Sequence, residues 1–306
     1  MSTVIVASSL AGTRLSFDPI SDFQQLIAYP FMVHALEAGT VVAVMSGVIG
    51  WFMVLRRETF AGHTLSLMAF PGATGALLIG LPAAAGYFTF CGASALVIGT
   101  AGARRHRGEE SAVTGTVQAF GLACGFLFLS LYQGVLANYE NLLFGDFLGI
   151  TRAQVLVLAL AAVVSVVFLG VVGRPLLFAS IDERVAAASG VPVRGLALGF
   201  LVFLGLAVAA TAQITGVLLV FALLVAPAAT AQLITTRIGW SLLLTVILGV
   251  AITWIGLALA YFYDYPVGFY ITSVAFGVYL VARVARTVVD HPTLLRRRVR
   301  LRAAGA

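Results

Sequence analysis

Nine apolar runs, each close to 20 residues, occupy most of this 306-residue chain and leave it few places to meet water. Their approximate limits are 32–55, 60–81, 84–102, 112–136, 153–172, 195–212, 215–235, 240–262 and 267–288, and eight to ten spans fit the pattern. About 20 residues of helix cross a bilayer core. Hydrocarbon offers no partner to an unpaired backbone group, so every run is expected to be helical. Only 10% of the residues are charged, against roughly 25% in a soluble domain. The expected class is an all-α integral membrane protein with about nine transmembrane helices.

The breaks between runs carry the orientation. All 18 basic side chains are arginine. Arg56, Arg57, Arg104, Arg105, Arg107, Arg174, Arg184, Arg194, Arg237, Arg283, Arg286 and the "RRRVRLR" tail follow odd-numbered spans, leaving only Arg14 and Arg152 on the other side. The positive-inside rule then puts the N-terminus outside and the C-terminus in the cytoplasm, as an odd number of spans requires. The expected organisation is an extracytoplasmic lead-in over 1–31, a transmembrane domain over 32–288 and a basic cytoplasmic tail over 289–306. Topology and anionic lipid account for the net charge of +6, so no nucleic-acid partner is implied. The opening "MSTVIVASSLAGTRLSFDPISDFQQL" lacks the basic lead of a cleavable signal. Cys91 and Cys124 lie in apolar runs with no metal or disulfide spacing, and read as small packing residues.

One break is longer than its neighbours. Within 173–195, "SIDERVAAASGVP" reads as a short helix capped by Ser180 or Asp182, with Glu183 in its first turn and Gly190 and Pro192 ending it. It is either an interfacial helix on the lipid or a docking helix offered to a cytoplasmic partner. "DERVAAASGVPVRGL" resembles the coupling segment of the membrane permeases of ATP-binding-cassette importers of zinc, manganese and iron. Four further stretches are similar to that family in the same order: "VLRRETFAGHTLSLMAFPG" (54–72), "LLFGDFLGIT" (142–151), "TGVLLVFALLVAPAATAQL" (215–233) and "YFYDYPVGFYI" (261–271).

The resemblance implies a homodimer of permease subunits in a bacterial cell membrane. It also implies a cytoplasmic ATPase docked at Asp182, Glu183, Arg184 and Gly190, and an extracytoplasmic metal-binding protein that delivers the ion. The chain has no "GxxxxGK[ST]" phosphate loop, so ATP hydrolysis is expected from the separate partner. The divalent metal is cargo, and no cofactor is expected to stay bound.

His63 is an ionisable group one turn or more inside the second span, where such groups are costly and usually mark a pathway or a buried partner. The family pattern has Asp at this position and His four residues later. Here His63 and Leu67 stand in those places, which reduces a two-ligand clamp to one imidazole. His34 and Glu37, at i and i+3 near the outer end of the first span, are candidates to assist. The competing readings make His63 a packing imidazole bonded to a carbonyl and Glu37 an interfacial side chain. His106 and His291 read as solvated, and Asp264 as a turn residue. An imidazole favours zinc, with manganese and iron(II) open.

"FPGATGALL" and "APAATAQLI" place Pro71 with Gly72, and Pro227, near the middle of the second and seventh spans. These are expected helix breaks or gating points, matched as an inverted repeat would match them. An ion-coupled secondary transporter working without an ATPase is the rival function, and only Glu37 would suit it as a buried acid. An intramembrane protease would need HExxH or a like pairing, which is missing.

Overall fold

A computed structural model describes residues 24–102, 107–132, 145, 149–263 and 265–303. Most of the lead-in, His106, the side chain of His291 and Asp264 lie outside the described residues. Among the described residues, a short helical stretch at 24–27 is followed by ten helices, and no strand occurs. They are α1 Pro30–Leu55, α2 Thr59–Leu78, α3 Ala83–Gly102, α4 Arg107–Leu131, α5 Arg152–Ile181, α6 Glu183–Ala188, α7 Val193–Thr215, α8 Val217–Ile234, α9 Ile238–Phe262 and α10 Val267–Ala303.

Eight of these are long and apolar enough to cross a membrane, the last through its first part, Val267–Val288. The ninth expected span, α2, falls short on hydropathy because it carries His63, Pro71 and several small or hydroxylated residues. Its 20 residues still reach about 30 Å at 1.5 Å each. Thirteen of them are buried, against α3, α4, α7 and α8. A helix wrapped by protein needs no lipid-facing apolar surface, so the bundle supplies what its composition lacks.

Two side-chain bonds at one end of the bundle fix helix directions. Trp51 Nε1 donates to Ser241 Oγ at 2.9 Å, and Gln232 Nε2 donates to the Trp51 carbonyl at 2.9 Å. The ends of α1 and α8 and the start of α9 therefore share a face, and α2, which leaves α1 through a three-residue corner, runs opposite to α8. Packing is reciprocal. α2 packs on α3 and α4 as α8 packs on α9 and α10, while α1 packs on α9 as α7 packs on α3. Two sets of four helices, α1–α4 and α7–α10, thus exchange their first members. An inverted repeat produces this arrangement. α5 and α6 link the halves.

Several sequence expectations need correction. The fifth span does not stop at 172: α5 continues to Ile181 through Pro175. Ser165, Leu169, Gly173, Leu176 and Ala179 hold a helical period of buried positions across the proline, and Arg174 points outward. Packing on α1 and α7 outweighs the single backbone bond that Pro175 removes. The long break 173–195 shrinks to α6 and its flanks. Ser180 is not the cap of α6; Asp182 alone is. Nor are Pro71 and Pro227 helix breaks, since both lie inside continuous helices. Thr74 Oγ1 donates to the Phe70 carbonyl at 3.0 Å, and Thr230 Oγ1 to the Ala226 carbonyl at 2.7 Å. These hydroxyls bond backbone next to each proline, as transmembrane helices do when they carry one.

Candidate functional site

The linking segment α6 is built to be presented. Asp182 Oδ1 accepts from the backbone N–H of Arg184 and of Val185, both at 3.0 Å, which satisfies orphan donors at the helix start. The end is a Schellman turn: Gly190 N–H donates to the Ala187 carbonyl and Val191 N–H to that of Ala186. Gly190 has φ +83°, a conformation glycine adopts without a Cβ clash. Asp182, Glu183, Arg184 and Gly190 are all exposed, as are Ile181 and Val185, while Ala186 is fully buried against the bundle. One alanine anchors the helix and its charged and apolar side chains face outward. This is the surface expected of a docking element.

The α1–α2 corner, read from sequence only as a polar break, is a second built feature. Arg57 N–H donates to the Val54 carbonyl and Glu58 N–H to that of Met53. This is again a Schellman turn, with Arg57 at φ +62° in the place glycine usually takes. Arg56 Nη2 and Nε donate to Glu58 Oε1 at 2.8 and 3.0 Å, Nη1 donates to Ser180 Oγ at 3.3 Å, and the guanidinium carbon lies 5.4 Å from the centre of the Phe200 ring. The paired side chains are only 10% and 12% exposed. Removing one partner of such a pair costs about 3–5 kcal/mol, because the other charge is left uncompensated.

His63 sits on α2 just beyond that corner, half-buried, with its ring centroid 4.5 Å from that of Phe221 on α8. It therefore lies where the two halves meet. Its Nδ1 is shielded and finds no hydrogen-bond partner among the described residues. The packing reading required a bond to a carbonyl, and at Nδ1 none forms. A buried polar atom without a partner calls for an explanation, and a passing ligand is one.

His34 and Glu37 stand elsewhere. His34 is half-buried and Glu37 exposed, one turn apart on α1. At 1.5 Å per residue, His34 lies roughly 30 Å from the end of α1, whereas His63 is about one turn past the following corner. The structure does not bring the three together, and no group of three His, Cys, Asp or Glu side chains among the described residues could hold a metal ion. Gly72 has a packing role: a Cβ there would collide with the Gly86 backbone on α3, and one at Gly86 with Gly72. Both cysteines are free. Cys91 is buried, and its thiol donates to the Leu65 carbonyl at 3.4 Å.

Comparison with known proteins agrees with this architecture. The family described as the ABC 3 transport family matches residues 28–286. The manganese transport system membrane protein MntC of Halalkalibacterium halodurans is 30% identical over 85% of this chain and 89% of its own. The chelated iron transport system membrane protein YfeC of Yersinia pestis is 31% identical over 83% and 86%. Among solved structures, PsaBC from Streptococcus pneumoniae in complex with Fab has the same fold, with TM-score 0.76 and 24% identity over 86% of this chain and 94% of that one. With most of its length matched, the chain belongs to the ABC 3 transport family, as a multi-pass membrane component of transport rather than an enzyme.

Proposed function

We propose that this chain is the permease subunit of an importer that carries a divalent transition-metal ion into the bacterial cytoplasm, driven by a separate ATPase. The observation that carries the reading is the exposed, doubly capped α6 between two inverted halves, in a chain with no phosphate loop of its own. The relatives' names, manganese in one and chelated iron in the other, support the class of cargo. Zinc is the ion that an imidazole at position 63 suits best among the three. A second copy of the chain completes the permease, and an extracytoplasmic metal-binding protein delivers the ion. His63 lies on the ion's path, with His34 and Glu37 assisting near the outer mouth. Pro71, Gly72 and Pro227 form the midplane over which the halves move. The N-terminus is outside and the tail cytoplasmic.

Reconstituted vesicles test this. Uptake of radioactive zinc, manganese and iron(II) should require the permease, its ATPase, ATP and the delivery protein together, with competition among the ions ranking zinc first. Uptake by the permease alone along a proton or sodium gradient would favour the secondary-transporter reading and contradict this one.

A further inference from the structure

The Arg56 guanidinium touches the chain on both sides of α6. Ser180, which accepts from Nη1, lies two residues before the α6 cap Asp182. Phe200, whose ring faces the guanidinium, lies on α7, the helix that leaves the α6 segment, and is 1% exposed. The third contact is Glu58, at the N-cap position of α2, whose side chain makes no capping bond and pairs with Arg56 instead. Ser180 is itself held, its hydroxyl donating to the Leu176 carbonyl at 2.5 Å. One rigid planar cation therefore joins the strut entering α6, the strut leaving it and the start of the helix that carries His63. α1 and α2 make little direct contact beyond their shared corner, while α7 packs on α2 directly; the Arg56 corner adds a polar link from both sides of α6 to the start of α2.

The geometry points to Arg56 as the positioning residue that passes displacement of the α6 segment to α2 and so to the His63 region. The inference rests on the importer reading, in which the ATPase acts on α6. Packed side chains and ion pairs carry coupling of this kind only when both ends bias the same element. Here that element is the α1–α2 corner, held at a left-handed Arg57 and pinned by a buried pair. Lysine in place of Arg56 would keep the charge. It would lose the fork that reaches Glu58 and Ser180 at once, and the flat face over Phe200.

The experiment uses the permease with its ATPase and delivery protein in vesicles, and reads ATP hydrolysed per metal ion taken up. Ser180→Ala with Phe200→Leu leaves the buried Arg56 and Glu58 pair intact and removes the contacts to both struts. Metal-stimulated ATPase activity should persist while ATP consumed per ion rises about threefold or more, within the range such networks modulate. Arg56→Lys should raise the ratio similarly, and combining it with the double variant should add little further. An unchanged ratio in both variants overturns the inference. So does a parallel fall of hydrolysis and uptake, which would mean loss of ATPase docking alone. Wild-type uptake that ignores the ATPase would overturn the importer reading itself, and this inference with it.

Discussion

In α2 and in α8 the same short pattern recurs, a proline followed by two small residues and a threonine whose hydroxyl bonds a carbonyl four residues back. The halves share this scaffold and differ in where they place polarity. Eight residues before its proline, α2 has His63, and α8 has the buried Leu219. The corner before α2 contains a buried Arg56 and Glu58 pair, whereas α7 passes to α8 through the single residue Gly216 at φ +75°. α2 touches α3 backbone to backbone at Gly72 and Gly86, and the matching position in α8 is Ala228. Repeated packing makes the framework; the unrepeated imidazole and ion pair are where the proposed ion path and the proposed drive enter.

If drive enters through the link between the halves, the largest effect should come from Asp182→Arg with Glu183→Arg. Reversing charge in the first turn of α6 removes its cap and opposes the helix dipole. Uptake and co-purification of the ATPase should both be lost while the permease stays in the membrane. Normal ATPase recovery with an unchanged uptake rate would reduce α6 to a connector.

The tight contact in the first half gives the next effect. Gly72→Val should lower stability by about 1–3 kcal/mol, the usual cost of overpacking, because α2 and α3 must part. Thermal unfolding in detergent measures it, and a variant as stable as wild type would contradict the close approach. The threonines should then behave alike in both halves. Thr74→Val and Thr230→Val should each cost about 0.5–1.5 kcal/mol, one net hydrogen bond, and a large difference between them would break the equivalence of the two prolines. Smallest of all, His34→Ala or Glu37→Ala should change uptake by about twofold at most, well below the tenfold that 1.4 kcal/mol brings. A severe loss would move the site to the outer end of α1.

The class of fold was legible because apolar runs of spanning length leave no alternative to helices. The α6 helix and its glycine end were legible in "SIDERVAAASGVP", but the sequence left its cap open between Ser180 and Asp182. Less legible was where α5 ends: Arg174 and Pro175 look like a terminus in sequence, yet a helix buried on one face runs on past both. The break "RRE" showed only its charge, because pairing with Ser180 and Phe200, more than 120 residues away, depends on tertiary packing. The same limit explains why His34, Glu37 and His63 looked like one ligand set. Spacing within a helix can be read directly, but depth along two different helices must be built.

Metal uptake across substitutions at position 63, in vesicles holding the full transporter, bears most directly on the claim that the ion passes the polar half. His63→Ala should reduce uptake about tenfold or more, a loss above 1.4 kcal/mol, with expression and ATPase binding intact. His63→Asp should retain transport and shift preference from zinc toward manganese, since a hard oxygen replaces a borderline nitrogen. His63→Gln should not restore what alanine loses. Full activity in the alanine variant, or equal rescue by glutamine for both metals, would contradict the account and return His63 to packing.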